Sequence, residues 1–315
     1  MGGIAVEVAH GVHRLTGGAC NFYLLEDGGR LVLVDAGAPG DWNLLLRTLT
    51  ALGRGLEDLE AVLLTHAHGD HTGFAERARS TAGVPVWIHR ADVEVAKGAT
   101  PGQSDGKASS YLLRVEFYRT LLSLARRGAT KLIPIREVST FAHGETLPLP
   151  GRPRAVHAPG HTPGSATLLL EGRRVLLSGD VLVTRNPLTG RVGPQIMPSG
   201  LNRDTPQALR SLDVLYGIPA EVLLPGHGVP VPGARPGPRA WHGQPVPPRS
   251  LLKMLGPVGT VVSVVAPSPD SVTWVSPVWA LGYSAAVLHT PTCQPGSGSR
   301  GGGHVGAAAE RPGQR

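Results

Sequence analysis

The chain is built from short apolar runs that are separated by glycine-rich turns and by a few amphipathic stretches. Most of these runs have the length of a buried strand, and they are rich in leucine and valine. The pattern therefore predicts many strands before residue 225. The predicted strands lie at residues 6–15, 21–26, 30–35, 61–64, 84–89, 138–149, 154–157, 166–170, 174–177 and 220–224.

The amphipathic stretches predict helices. In the clearest of them, residues 111–127, apolar side chains recur three and four residues apart, and Gly128 follows as a helix stop. The recurring positions are Leu113, Phe117, Leu121 and Leu124. The other predicted helices cover residues 41–52, 72–82 and 206–215. Strands and helices thus mix along the chain, which indicates an α/β (α+β) protein.

The composition changes at Pro232, beyond which proline and glycine recur. The apolar part of this region, residues 251–288, is broken by prolines, and its longest uninterrupted piece is too short for a membrane span. We therefore predict a domain over residues 1–231, a tail over residues 232–315 and no membrane partner. Two interpretations of the tail stay open, a disordered extension and an out-of-frame reading of a GC-rich gene.

The net charge of +7 would favour a nucleic-acid partner if it were concentrated in the domain. Residues 232–315 hold seven Lys or Arg and two Asp or Glu, so the tail carries +5 of that charge. The first 231 residues show no basic helix face and no interleaving of basic with aromatic residues. We therefore expect no nucleic-acid partner.

Two cysteines, Cys20 and Cys293, do not make a disulfide framework. Cys20 lies in a strand-like stretch, where we expect a small core residue. The first ten residues contain neither a basic segment nor a long apolar segment of the kind that begins a secretory signal. We expect a cytoplasmic protein.

A dense group of possible metal ligands follows the predicted strand at residues 61–64. It consists of His66, His68, Asp70 and His71. His66 and His68 share one side of an extended segment, whereas Asp70 and His71 fall on the next turn. This spacing suits two adjacent ions better than one. Imidazole together with carboxylate favours zinc, with iron and manganese as alternatives.

Three further candidates occur beside glycine, near or at the ends of later strand-like runs. They are His161, Asp180 and His227. Strands are rigid, and loops at their ends can converge on one edge with the precision that a metal site needs. Glycine beside a ligand permits a tight turn and a close approach of the backbone. We expect these side chains to join the first group.

In order and spacing, these seven residues resemble the metallo-β-lactamase superfamily, whose pattern is His-x-His-x-Asp-His followed by His, Asp and His. The resemblance extends from about residue 6 to residue 231. It implies a four-layer αββα sandwich with a two-metal site at one edge. Members of this superfamily often carry an inserted helix that covers the active site, and residues 111–127 would supply it here as an apolar wall.

The resemblance also implies which residues hold which of two divalent ions. The first ion would be held by His66, His68 and His161. The second ion would be held by Asp70, His71 and His227. The carboxylate that bridges both ions would be Asp180.

Two ions that share a water lower its pKa from 15.7 to about 7, which provides a hydroxide at neutral pH. Asp70 can orient this hydroxide as well as bind metal, so we assign it a catalytic role. The chemistry favours hydrolysis of an ester-like bond, which could be a thioester, a lactone, an amide or a phosphodiester. The resemblance implies a small-molecule substrate, with a thioester or a lactone preferred. Within the superfamily, the absence of an inserted nucleic-acid domain and of a flavodoxin domain leaves the glyoxalase II-like hydrolases as the most similar group.

Other functions stay open at this point. One is an oxidoreductase similar to the mononuclear iron persulfide dioxygenases, which share the fold and part of the ligand set. Another is a phosphodiesterase or nuclease of the same fold. A third is a metal-binding scaffold without catalysis, against which the complete ligand set argues. Homo-oligomerisation is also left open.

Four residues are candidates for substrate contact. Arg185 and Asn186 lie in a loop after Asp180, where they could meet an anionic or carbonyl group. Tyr111 and Tyr118 belong to the predicted helix 111–127 and could face a substrate. Asp35, at the end of another predicted strand, has two interpretations, a residue that orients a metal ligand and a turn-capping residue.

Overall fold

The computed structural model describes residues 4–18 and 20–233 of the chain. Among them, seven strands form a first sheet in chain order. They are β1 (Ile4–Ala9), β2 (Val12–Thr16), β3 (Asn21–Asp27), β4 (Arg30–Val34), β5 (Leu59–Leu63), β6 (Val86–His89) and β7 (Ser139–Phe141). Strands β1 to β4 pair antiparallel, and β4 to β7 pair parallel. The sequence predicts a disordered tail over residues 232–315. Apart from residues 232 and 233, the tail lies outside the residues that the structure describes.

A second sheet contains five of the later strands, ordered β14-β13-β10-β9-β8. The later strands are β8 (Arg154–His157), β9 (Ala166–Leu170), β10 (Val175–Gly179), β11 (Val183–Arg185), β12 (Val192–Gln195), β13 (Val222–Pro225) and β14 (Val231–Pro232). Strands β11 and β12 form a separate two-stranded ribbon. Within the second sheet, β10 pairs parallel with β13 and antiparallel with β9.

Five α-helices lie in the described part of the chain. They are α1 (Trp42–Ala51), α2 (Ala75–Ala82), α3 (Val93–Ala96), α4 (Val115–Arg126) and α5 (Thr205–Ser211). The carboxylate of Asp204 caps α5 by accepting a hydrogen bond from the backbone N–H of Gln207 at 2.7 Å. The predicted helix at residues 206–215 is shorter than expected, because a 3-10 turn, Leu212–Leu215, follows α5. No described helix is both long and apolar enough to cross a lipid bilayer.

Side-chain alternation along the strands builds the four layers. In β4, Leu31 and Leu33 pack in one hydrophobic cluster with helices α1 and α2, whereas Val32 and Val34 pack in a second cluster between the two sheets. In β10, Leu176 points into a third cluster with the 3-10 turn after α5. Three cores between four layers make the αββα sandwich, as the sequence predicts.

Two predicted strands are wrong in extent. Residues 6–15 form two strands instead of one, because Gly11 takes a positive φ of 63° in the turn between β1 and β2. Residues 138–149 contribute only β7, which joins the first sheet beside β6 and not the second sheet. Gly144 turns the chain with a φ of 80°, and Pro148 lacks the N–H that a sheet interior needs.

The fold collects the ends of its parallel strands at one edge. Strands β4, β5 and β6 end there in the first sheet, and β8, β10 and β13 end there in the second. Backbone hydrogen bonds join the two sheets at this edge, from Ala166 N to Thr65 O at 3.0 Å and from Asn21 N to Gly226 O at 2.7 Å. Side chains that follow these strands therefore meet in one place.

Candidate metal centre

The structure brings all seven predicted ligands together at the shared edge. Three of them, which we call the histidine half, are His66, His68 and His161. Nε2 of His161 lies 3.3 Å from Nε2 of His66 and 2.9 Å from Nδ1 of His68. The three ring nitrogens all lie within 4.8 Å of one another, close enough to converge on one ion.

The second group, which we call the carboxylate half, consists of Asp70, His71 and His227. Oδ2 of Asp70 lies 3.6 Å from Nε2 of His227 and 3.9 Å from Nε2 of His71. His71 and His227 are buried, whereas the side chain of Asp70 keeps 18% of its surface exposed and faces a cavity. Asp70 is therefore the most exposed member of this half, and it lines the cavity together with His227.

Asp180 lies between the two halves and reaches both. Its Oδ2 is 3.1 Å from Nε2 of His227 in the carboxylate half and 3.4 Å from Nε2 of His161 in the histidine half. Its Oδ1 lies 3.5 Å from Nε2 of His71. A buried carboxylate in this position can bind two ions at once.

The donor atoms fit divalent metal. Nε2 of His71 and Oδ1 of Asp180 are buried and have no hydrogen-bond partner in the described structure. Such atoms are costly to leave without a partner, and a cation that both of them bind would remove the cost. The set of imidazole and carboxylate is also one that zinc, iron and manganese accept.

Asp35 orients His71 directly and His66 through Thr65. It is buried, takes a positive φ of 59° at the end of β4, and accepts a hydrogen bond from Nδ1 of His71 at 2.8 Å. It also accepts from the N–H of Thr65 at 2.8 Å and from the Thr65 hydroxyl at 2.9 Å. With Nδ1 of His71 donating to Asp35, the Nε2 lone pair faces the centre. Of the two interpretations of Asp35, the contacts favour the orienting one.

The remaining hydrogen bonds aim the histidine half in the same way. The Thr65 hydroxyl donates its proton to Asp35, so its oxygen can accept from Nδ1 of His66 at 3.0 Å. Nδ1 of His161 lies 3.2 Å from Oδ1 of Asn202, whose amide in turn donates to the backbone oxygen of Met197 at 2.8 Å. Both histidines therefore turn Nε2 toward the centre.

Asp92 is a site residue that the sequence analysis missed. It is buried, and its Oδ2 accepts from the backbone N–H of Ala67 at 3.0 Å and from the Thr162 hydroxyl at 2.7 Å. Its Oδ1 accepts from Gly164 N at 2.6 Å. Asp92 thus ties the loop of His66 to the loop of His161. An acidic residue shortly after β6, at the edge where the other strands end, is the signal that could have revealed it.

Cys20 is buried, as predicted, and it also touches the centre. Its thiol donates to the backbone oxygen of Asp70 at 2.8 Å, and its sulfur lies within 4.8 Å of ligand atoms of Asp70 and His71. Burial, together with the carboxylates of Asp70 and its neighbours, raises the pKa of Cys20 well above its usual range. Cys20 therefore stays a thiol and supports Asp70.

The two halves differ in electrostatics. Burial lowers the pKa of His66 well below its usual range and lowers the pKa of His161 to about 3, so both imidazoles are neutral and ready to bind metal. Burial also disfavours protonation of His71, but the carboxylates of Asp180, Asp35 and Asp70 outweigh it and raise the pKa of His71 to about 10. This negative potential favours a cation.

A cavity of about 580 Å³ opens onto the centre. Helix α4 contributes to its wall through Thr120 and Leu124, in line with the predicted covering helix. Neither Tyr111, on a 3-10 turn before α4, nor Tyr118, which is 52% exposed, is among the described residues that line this cavity.

Arg185 and Asn186 also lie away from this cavity wall. Arg185 forms an ion pair with Glu116 at 3.1 Å and borders a neighbouring groove. Asn186 is buried, and its side-chain oxygen accepts from the backbone N–H groups of Leu188 and Thr189, both at 3.0 Å, so it shapes its own loop. The substrate role of these residues stays a prediction that their contacts do not favour.

The chain is similar to known proteins in sequence and in fold. The profile of the metallo-β-lactamase superfamily matches residues 15–227. The probable metallo-hydrolase YflN of Bacillus subtilis (strain 168) is 29% identical over 250 residues, which cover 73% of this chain and 89% of the relative. The probable metallo-hydrolase MJ0888 of Methanocaldococcus jannaschii is 26% identical over 216 residues, which cover 67% of this chain and 89% of the relative.

Solved structures agree with the sequence relatives. The metallo-β-lactamase family protein TTHA1429 from Thermus thermophilus aligns with a TM-score of 0.53 at 26% identity, over 72% of this chain and 76% of that one. The metallo-β-lactamase SMB-1 aligns with a TM-score of 0.52 at 18% identity, over 71% of this chain and 79% of that one, which shows a shared fold. On this fold, this donor set and these relatives, the chain belongs to the metallo-β-lactamase superfamily and is a metallo-hydrolase.

Proposed function

We propose that this metallo-hydrolase uses two divalent ions, with zinc preferred, to cleave a thioester or lactone bond of a small molecule, as the glyoxalase II-like hydrolases do. One observation carries the proposal. Two sets of three side chains face each other across a single buried carboxylate, Asp180, whose oxygens lie 3.1–3.9 Å from four histidine nitrogens. One ion cannot use both sets, so the number of donors favours a pair of ions.

Each residue has a defined part in this proposal. His66, His68 and His161 would hold one ion, and Asp70, His71 and His227 the other, with Asp180 between them. When bound, such ions supply a nucleophilic hydroxide at neutral pH and polarise the carbonyl oxygen of a substrate. The carboxylate of Asp70, on the cavity side, would orient the attacking water through a hydrogen bond. Asp35, Thr65 and Asn202 would hold the imidazoles in one tautomer.

The shape of the cavity supports a small substrate. Its volume of about 580 Å³ lies in the range of ordinary small-molecule sites. Most of its wall is apolar, which suits the hydrocarbon part of an acyl group. Apolar side chains around the reacting bond also exclude bulk water and strengthen the interactions of the carboxylates and imidazoles inside.

The deciding experiment combines metal analysis with a substrate panel. Purified protein would be analysed for zinc, iron and manganese by mass spectrometry, and then assayed with matched thioesters, lactones and phosphodiesters. We expect about two ions per chain by the donor count above, together with turnover of a thioester or a lactone. One iron per chain with oxygen consumption on a persulfide would replace the proposal with a dioxygenase. Turnover of phosphodiesters alone would replace it with a phosphodiesterase.

A further inference from the structure

The wall of the cavity beside the metal centre includes an arginine, Arg203. Most of the lining away from the centre is apolar and includes Val95, Pro101, Leu124, Leu188, Met197 and Leu201. Arg203 is the single Lys or Arg among the described residues that line the cavity. A lone guanidinium at an apolar wall is a candidate for recognising a charged group of the substrate.

The backbone of Arg203 is fixed to the metal centre itself. Its N–H donates to the backbone oxygen of His161 at 3.0 Å, and the preceding residue, Asn202, lies 3.2 Å from Nδ1 of the same histidine. Asp105 N donates to Asn202 O at 2.8 Å, which joins a second loop to this one. The position of Arg203 relative to the ligands is therefore set by the same contacts that hold His161.

The side chain of Arg203 is held in place but keeps donors free. Nη1 donates to the backbone oxygen of Gln103 at 3.1 Å, and the guanidinium lies so close to Gly102 that a Cβ there would overlap it. In the described structure, no carboxylate lies within ion-pair distance of Arg203. A guanidinium has five N–H donors, and one bond to a neutral carbonyl leaves several of them for a ligand.

Two other arginines near this part of the molecule each pair with a carboxylate. Arg185 pairs with Glu116, and Arg127 pairs with the buried carboxylate of Asp41. Arg203 differs from these two because no carboxylate of the described residues lies within ion-pair distance of it.

We propose that Arg203 determines substrate specificity by binding a carboxylate at the end of the substrate remote from the bond that is cleaved. This rests on the proposed function, because it assigns the substrate of the same site. A carboxylate matches the bidentate geometry of one guanidinium. A phosphate with two charges would call for a second cation, and the described cavity lining offers none beyond Arg203 and the histidines of the centre. The favoured substrate is an ω-carboxyacyl thioester, or a lactone with a carboxylate side chain.

The kinetic test uses pairs of thioesters that differ only at the far end, with a free carboxylate in one and its methyl ester in the other. We expect the wild type to prefer the carboxylate by about tenfold or more in kcat/KM, since hydrogen bonds to charged groups are stronger than neutral ones. Arg203→Gln should lower kcat/KM for the carboxylate substrate, mainly through KM, by more than for the methyl ester, so that the preference disappears. Arg203→Lys should restore part of the preference, because lysine keeps the positive charge but cannot form the two parallel hydrogen bonds of a guanidinium.

Arg210→Gln is the matched control. Arg210 is exposed on α5, hydrogen-bonds to Gln207 and lies outside the cavity wall. Its replacement should therefore leave kcat/KM unchanged for both substrates. Equal use of the carboxylate and the methyl ester by the wild type would overturn the proposal. An equal fall in kcat/KM for both substrates in Arg203→Gln, with metal content and circular dichroism unchanged, would also overturn the proposal.

A binding measurement separates this proposal from the proposed function. Isothermal titration calorimetry of the metal-loaded protein with glutarate and with its monomethyl ester does not depend on turnover. Tighter binding of glutarate that disappears in Arg203→Gln would support the role of Arg203 even if no thioester or lactone is hydrolysed. Equal binding of both compounds, or tighter binding of 4-phosphonobutyrate than of glutarate, would overturn it even if hydrolysis is found.

Discussion

The two halves of the metal centre contain similar ligands but are organised by different forces. The histidine half is neutral, because burial lowers the pKa of His66, His68 and His161. The side chains that hydrogen-bond to Nδ1 of His66 and of His161, the Thr65 hydroxyl and the Asn202 amide, are neutral as well. The carboxylate half is organised by charge, through Asp35, Asp70 and Asp180 around His71.

This difference suggests separate tasks for the two halves. Three neutral imidazoles need not lose a proton before they bind an ion, so this half can hold its ion in a fixed position. A set with several carboxylates depends on the ion for its electrostatic balance and lies where Asp70 faces the cavity. We infer that the histidine half provides the more permanent ion and that the carboxylate half tunes the reaction.

Replacing Asp180 should affect both halves, because its carboxylate lies against both of them. We expect Asp180→Ala to lower kcat/KM by at least about a thousandfold, roughly 4 kcal/mol. It should also lower the metal content of both halves, since the bridging carboxylate balances their charge. The measurement is steady-state turnover together with metal ions counted per chain. A variant with full metal content and full turnover would remove Asp180 from the site.

Replacing Asp70 should affect one half only. Asn keeps the size and a neutral oxygen but loses the negative charge. We expect Asp70→Asn at saturating metal to lose about a hundredfold in turnover, near 3 kcal/mol, while the ion of the histidine half is retained. Metal counts and turnover would be measured on the same sample. Full recovery of activity with added metal would show that Asp70 is a ligand without a catalytic role.

The two supporting carboxylates allow a matched pair of variants. Asp35→Asn should weaken metal affinity in the carboxylate half by about 10- to 100-fold, because it disturbs the bond to His71. Asp92→Asn should weaken the histidine half instead. The N–H groups of Ala67 and Gly164 bind different oxygens of Asp92, and an amide keeps an acceptor for only one of them. Cobalt-substituted protein titrated with a chelator would resolve the two sites by their absorption spectra. Identical effects of both variants would contradict the division into halves.

Acidification should separate the halves with the mildest perturbation. When the pKa of a ligand is raised, a proton competes with metal for it over a wider pH range. The pKa of His71 is raised to about 10, whereas the pKa of His161 is lowered to about 3. As pH falls from about 8 to 5, the carboxylate half should therefore release its ion first. Metal content after dialysis at each pH tests the order. Simultaneous loss of both ions would show that they bind as one cooperative unit.

The sequence predicted what depends on local pattern. Runs of buried residues located most strands, and the ends of those strands carried the seven side chains that the structure brings together. Asp92 escaped prediction because its partners, Ala67 and Gly164, are distant in sequence and meet only in the folded chain.

Surface positions were harder to predict. Arg185 looked like a substrate contact, but Glu116 on α4 takes up its charge. Helix α4 has an apolar stripe, yet Leu113, just before it, is 98% exposed, and none of the α4 residues is buried. Helical periodicity shows that a helix has two faces and does not show which face meets the rest of the protein.

The concentration of negative charge around His71 links the metal supply of the cell to the amount of folded protein. Without metal, a proton on His71 partly balances the carboxylates of Asp35, Asp70 and Asp180, and a bound cation would take over that role. A ligand that binds only the folded state at a hundred times its Kd stabilises that state by about 2.7 kcal/mol. Growth in a metal-poor medium should therefore leave more of this chain open to proteolysis, so that metal starvation lowers its abundance as well as its activity.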